Sequence, residues 1–171
     1  MYLISACLNG QAVRYDGGSC LAPQLQQLFQ SGQAIALCPE MLGGLPCPRL
    51  PAEIYGGSAA DVLNGAAAVI DSSGKDVSEA FIRGAQKTLL FAQQHRVHTA
   101  ILKENSPSCG RRFIYDGTFQ GQKTAGAGIT AALLMQHGIE VISEQDFLQR
   151  SLNAPSAQYD LQFPLQAHPA R

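Results

Sequence analysis

The chain has 171 residues and a formal net charge of −1, from 12 Lys and Arg against 13 Asp and Glu. Hydrophobic residues make up 46% and charged residues 15%, which suffices to bury the core of one ordinary domain and excludes a disordered chain. The near-neutral balance and a pI near 6.4 argue against a general nucleic-acid binder, and no apolar run approaches the roughly 18 residues that span a bilayer. The opening MYLISACLNG has no basic or long apolar region of a secretory leader, so a cytoplasmic protein is expected.

Tyr2 to Ala6 is a short apolar run that closes on Cys7 and a turn at Gly10, the pattern of a buried strand. After the polar loop RYDGGSC, a helix is predicted from Pro23, a first-turn proline, to Phe29. Ala34 to Leu37 is a second strand-like run, again ending at a cysteine, in AIALCPE. Residues 41–56 hold so many Gly and Pro that a loop is expected, and Asp61 to Asp71 is predicted as a hairpin turning at Asn64-Gly65. Asp76 opens the longest helical pattern, running to about His95 with Phe81, Ala85, Leu89 and Ala92 at helical spacing. Thr99 to Lys103 is a third strand, leading into ENSPSCG, and a second hairpin is expected around FIYDGTFQG. A helix from Ala127 to His137 is stopped by Gly138, a strand IEVIS follows, and a short helix near Glu144 to Leu152 closes the compact part.

Strands alternating with helices predict a single Rossmann-like α/β domain over residues 1–152. It would have a mainly parallel sheet, helices on both faces and small β-hairpin insertions. Residues 153–171, with three prolines and no period, are assigned to a tail.

In an open α/β sheet, ligands sit beyond the carboxyl ends of the strands. Three strands end in ISAC, IALC and AILKENSPSC, so Cys7, Cys38 and Cys109 are expected to meet at that edge across sequence gaps of 31 and 71 residues. Three soft thiolates suit a thiophilic metal or an iron–sulfur cluster. A structural zinc site would normally close with a fourth Cys or His. None of His95, His98, His137 and His168 falls near a cysteine-bearing loop. Three cysteines alone would leave one iron of a 4Fe-4S cluster open to substrate; the competing account is three small core residues. Cys20 and Cys47 are either spare thiols or a fourth ligand that would close the site, and no CxxC spacing occurs.

The blocks SACLNG, RYDGG, CPEMLGGLPCPR, PAE, LKENSPSCG, YDGTFQG and GAGITAALL occur in order between about Ile4 and Phe147. Together they resemble the family of small thiouracil desulfurases, in its short form without an added C-terminal domain. The resemblance implies a 4Fe-4S cluster held by Cys7 of SAC, Cys38 of CPE and Cys109 of SPSCG. It also implies non-redox desulfuration of a thiolated base at the iron left unligated. At the Cys47 position the family more often carries a non-thiol residue, which favours a spare thiol there.

Such chemistry needs water activation beside the metal, and Glu40, two residues after Cys38, is the best-placed carboxylate for general acid/base work. Ser106 would orient base or water, or simply form the turn before Pro107, and Ser108 is the competing hydroxyl. Tyr15 either belongs to the Asp16-Gly17 turn or lines the pocket beside Cys7, and Lys103, at a strand end, is either solvated or neutralises cluster charge; in the second case both, with Ser108, are substrate-binding residues. Arg49 and Glu53 are expected to pair and pin their loop. Gly126-Ala127-Gly128 opens a helix either for close packing or to face an anion. No GxGxxG, Walker, HExxH or nucleophile-elbow motif occurs. The predicted partner is thus a small thiolated pyrimidine, with no membrane and no nucleic acid. A zinc- or cluster-binding module that docks a partner without catalysis stands as the alternative.

Overall fold

The computed structural model describes residues 1–153, so the expected tail lies outside the described residues except for Asn153. Strands β1 (Tyr2–Ser5), β2 (Ala34–Leu37), β5 (Thr99–Leu102) and β8 (Glu140–Ser143) form one parallel sheet in the order β2-β1-β5-β8. Their register pairs Ile4 with Ala36 and Ile101, and Ile101 in turn with Ile142.

Successive side chains of a strand point to opposite faces, and both faces of this sheet are apolar. Leu3, Ala100, Leu102 and Val141 pack on one side against Leu89 and Ala92 of α4 (Ser78–Gln94) and against Ala131 and Leu134 of α5 (Ile129–Gln136). Ile4, Ile101 and Ile142 pack on the other against Leu25 of α1 (Pro23–Gln30) and Phe147 of α6 (Glu144–Asn153). The expected α/β architecture with helices on both faces is therefore present. Among the described residues no helix is long and apolar enough to cross a membrane.

The segment 41–71 departs from expectation. Ala52–Tyr55 is a strand, β3, inside the Pro- and Gly-rich stretch predicted as loop, and it pairs antiparallel with β4 (Ala68–Asp71). The predicted hairpin at Asn64-Gly65 is instead the end of a short helix, α3 (Ala59–Leu63). Ser58 and Asp61 form a capping box there, each side chain taking the other's backbone N–H. Asn64 then caps the carboxyl end, and Gly65 at φ 78° lets the chain turn away into β4. The Asn-Gly pair thus serves a helix terminus, and the partner strand of β4 lies upstream of it. The second hairpin forms as expected, from β6 (Phe113–Tyr115) and β7 (Lys123–Ala125). Ile54, Val62, Val69 and Ile114 build a satellite core with Phe81 and Ala85 of α4.

Candidate active site

The first crossover, β1 to β2, runs one way along the sheet, and that from β5 to β8 runs the other. Between β1 and β5 the chains leaving the carboxyl ends diverge, which opens a crevice. A cavity of about 970 Å³ occupies this edge, and Cys7, Cys38 and Cys109 all line it. Cys7 sits in the 3-10 turn Ala6–Asn9 after β1, and Cys38 is the N-cap of α2 (Pro39–Leu42). Cys109 lies in the loop after β5; Cys7 and Cys109 are buried and Cys38 is half-buried.

The three thiols sense one another electrostatically. Burial, then the neighbouring Cys20 thiol and Glu40, push Cys7 up to about 12, against a pull from Lys103. Burial and the Glu40 carboxylate push Cys38 up to about 12 as well, opposed by the Met41 amide and the Arg49 guanidinium. Burial drives Cys109 well above the ordinary thiol range, and Glu40, Cys38 and Cys7 act in the same direction. Desolvated thiols of this kind become thiolates only when a cation arrives to replace the lost water. Among the described residues no group of three or more His, Cys, Asp or Glu side chains is gathered tightly enough to hold one metal ion. Three soft thiol donors lining one cavity are the donor chemistry that suits a thiophilic metal group.

Glu40 meets the thiols as the sequence suggested. Its Oε2 accepts a hydrogen bond from the Cys38 Sγ at 3.4 Å, and its Oε1 accepts one from the Ser106 hydroxyl at 3.5 Å. Ser106 is held by the loop it serves, its Oγ accepting the backbone N–H groups of Ser108 and Cys109, each at 3.1 Å. Both accounts of Ser106 are thus present, turn former and cavity-lining hydroxyl. Tyr15 lines the cavity and is exposed. Lys103 lines it too, but its Nζ is bound to Glu144 Oε1 at 2.5 Å. Ser108 is corrected: it is fully buried, its hydroxyl meets Thr130 Oγ1 at 2.9 Å, and it lines no part of the cavity. The chain curls through the turn at 107–109, closed by the Gly110 N–H on the Ser106 carbonyl at 2.8 Å, so Ser106 faces the cavity and Ser108 faces Thr130 of α5.

Two other expectations change. Arg49 does not pair with Glu53; its Nη2 lies 3.8 Å from Glu40 Oε1, while Glu53 accepts the N–H groups of Gly117 and Phe119. Cys38 and the PRLPAE loop come together only through the fold, so proximity in sequence pointed to the wrong partner. The first N–H groups of α5 face no anion, because Ile129 donates to the Pro107 carbonyl and Thr130 and Ala131 to the Ser108 carbonyl. A Cβ on Gly128 would stand 2.4 Å from the Ser108 carbonyl carbon, so that glycine is there for close packing. Cys20 and Cys47 lie outside the cavity lining; Cys47 Sγ bonds to the Ala12 carbonyl at 3.2 Å.

Sequence reasoning missed Glu104. It is buried, and its Oε1 accepts N–H groups from Arg111, Arg112 and Phe113, each at 3.0 Å, which shapes the loop that carries Ser106 and Cys109. An acidic residue directly after an apolar strand was the available signal, since burial there demands partners. Ser5 was missed as well: buried at the end of β1, it lines the cavity and takes the Lys103 N–H at 3.0 Å.

A parallel α/β domain with two buried thiols and one half-buried, a carboxylate and a hydroxyl around one cavity at the switch point has the build of an enzyme site with soft metal donors. Sequence comparison specifies it further: the chain belongs to the 2-thiouracil desulfurase family, whose sequence model matches residues 2–146. It is 50% identical over 146 residues to the uncharacterized protein YbbK of Bacillus subtilis (strain 168), covering 85% of this chain and 97% of that one. It is 44% identical to the solved structure of the 4Fe-4S-dependent thiouracil desulfidase TudS, with a TM-score of 0.77, over 88% of this chain and 95% of that one.

Proposed function

We propose that this protein hydrolyses the carbon–sulfur bond of a thiolated pyrimidine such as 2-thiouracil, with a 4Fe-4S cluster held by Cys7, Cys38 and Cys109. The balance is that of an exchange with water: the thiocarbonyl and one water give the carbonyl and one hydrogen sulfide, with no net electron transfer. When bound, the cluster supplies an iron without a cysteine ligand, a Lewis acid for the departing sulfur.

The observation that carries this reading is the meeting of Glu40 and Ser106 beside Cys38 in a thiol-lined cavity. The Ser106 Oγ accepts two backbone N–H groups, so its own proton is free to point at Glu40. A water bound beside this pair would be polarised by the carboxylate, which takes its proton as the oxygen adds to the thiocarbonyl carbon. Glu40 then returns that proton to the departing sulfur, and the second proton of the water leaves the oxygen as the carbonyl forms, completing hydrogen sulfide. Tyr15, on the cavity wall, supplies a flat apolar surface for the base. Lys103, anchored to Glu144, holds positive charge near Cys7 and lowers the cost of its thiolate. Five free cysteines suit a reducing compartment, and we assign the protein to the cytoplasm with a free small base as substrate.

The test is anaerobic purification with iron and sulfide counts, then addition of 2-thiouracil. The expected result is a brown protein with about four irons per chain that releases sulfide and uracil. Colour should be lost in Cys7→Ala, Cys38→Ala and Cys109→Ala, and kept in Cys20→Ala and Cys47→Ala. A colourless, zinc-loaded protein that releases no sulfide would instead establish the non-catalytic module.

A further inference from the structure

We infer that Arg49 is a substrate-binding residue, whose guanidinium donates a hydrogen bond to the exocyclic oxygen of the thiolated pyrimidine. The inference rests on the desulfuration reading above and names a contact that the reading does not contain. Arg49 lines the cavity, yet its side chain is only 9% exposed, so it is held rather than waving in solvent. Its backbone N–H donates to the Tyr15 carbonyl at 2.7 Å, and its Nη1 donates to the Val13 carbonyl at 3.1 Å and the Pro46 carbonyl at 3.4 Å. Both protons of Nη1 are thereby spent on the loop.

The other donors are not spent. Nη2 stands 3.8 Å from Glu40 Oε1, an ion pair beyond hydrogen-bond reach, and among the described residues neither Nη2 nor Nε has a hydrogen-bond partner. Among the described residues, the only enclosed side-chain nitrogen or oxygen without a partner is Asn9 Oδ1. The donors of Arg49 without a partner are therefore not sealed in the protein, and the side chain that bears them lines the cavity. Of the other cations near the thiols, Lys103 is hydrogen-bonded to Glu144 at 2.5 Å, and Arg14, with its side chain 32% exposed, is not held as Arg49 is. Lys75 also lines the cavity, but from the turn after β4 rather than from a thiol-bearing loop, and no ion pair or carbonyl contact among the described residues fixes its ammonium as the loop fixes Arg49.

A guanidinium pinned at one nitrogen and free at the next presents a rigid, planar donor edge. A pyrimidine that carries sulfur at one carbon keeps a carbonyl oxygen at another, in the ring plane, as the acceptor for that edge. The same contact orients the ring, so it favours oxo-thio pyrimidines over rings that carry sulfur alone.

The experiment compares wild type, Arg49→Gln and Arg49→Lys, each cluster-loaded, on 2-thiouracil and on pyrimidine-2-thione, which keeps the thiocarbonyl and lacks the oxygen. Activities are taken per cluster, from measured iron, so that any loss of loading is removed. A charge-assisted hydrogen bond to a neutral acceptor predicts a fall in kcat/KM on 2-thiouracil of about 10- to 100-fold in Arg49→Gln, carried by KM. Arg49→Lys, which keeps charge without the fork, should fall in between. On pyrimidine-2-thione the same substitutions should cost less than about threefold, because the contact is already absent. Calorimetric binding of uracil gives a readout independent of turnover, and should weaken in parallel in Arg49→Gln. Equal losses on the two thiones, or unchanged uracil binding, would overturn the assignment and leave Arg49 as a support for Glu40 alone. A fully loaded wild type that binds uracil through Arg49 but releases no sulfide would defeat the functional reading and spare the contact.

Discussion

Replacing Gly84 by alanine should damage the site from a distance. Gly84 lies in the middle of α4, and a Cβ there would stand 2.0 Å from the Pro39 carbonyl oxygen and 2.8 Å from its carbon. The approach is mutual, since a Cβ on Gly43 would stand 2.0 Å from the Ala80 carbonyl oxygen. Arg83 closes the contact by donating from Nε and Nη2 to the Gly43 carbonyl at 3.0 and 2.6 Å. Real Cβ atoms do not approach closer than 3.0 Å, so α2 must retreat by at least the difference, about 1 Å. Cys38 caps that helix and Glu40 lies in its first turn, so both move. Overpacking costs roughly 1–3 kcal/mol, and the gain in helix propensity on replacing Gly by Ala returns up to about 1 kcal/mol. Stability should thus fall by only about 0–2 kcal/mol, whereas a misplacement of about 1 Å at reacting groups costs on the order of 100-fold in turnover. The assay is sulfide release per cluster alongside the thermal midpoint. Turnover within about threefold of wild type would show that α2 and α4 are not rigidly coupled, and would refute the reasoning.

Glu104→Ala should strand three N–H donors in the Cys109 loop and cost about 3–5 kcal/mol in a denaturant titration, with Glu104→Gln recovering part of it. Glu40→Gln should keep the cluster spectrum and lose about 100- to 10,000-fold in turnover, measured by sulfide release; near-normal activity would remove Glu40 from the proton path. Because burial raises Cys7 and Cys38 from 9.0 to about 12, the metal-free chain should hold full stability from these thiols below pH 9 and lose it as pH rises toward 12, seen in thermal midpoints across that range. For the same reason both thiols should resist alkylation at pH 8 in the metal-free chain, and cluster loading should release about one proton per bound thiol, measurable in weakly buffered reconstitution.

The sequence alone placed most of this molecule. Apolar runs of strand length ending in Cys7, Cys38 and near Cys109 are local signals, and local signals survive into the fold when both faces of a sheet are to be buried. The parallel sheet, its flanking helices and the convergence of three thiols at one edge followed from that alternation. Glu40 was legible because it lies two residues from Cys38, on the same turn. The failures cluster where long-range pairing outweighs composition. Strand β3 forms in a Pro- and Gly-rich segment because β4 lies alongside it, and Asn64-Gly65 ends a helix because Ser58 and Asp61 had already capped one.

Partner choice was likewise out of reach of the sequence. Arg49 stands four residues from Glu53 and nine from Glu40, yet the turn of α2 brings Glu40 to it, while Glu53 turns to the Gly117 and Phe119 amides. Ser106 and Ser108 are equivalent hydroxyls in the sequence, and only the curl of the loop around Glu104 decides that one faces the cavity and the other Thr130. Residue types and spacing determined which chemistry this protein carries, because thiols and carboxylates keep their reactivity wherever they lie. The tertiary structure decided which of them act together, because contact between chain segments 31 and 71 residues apart is set by packing and not by order in the chain.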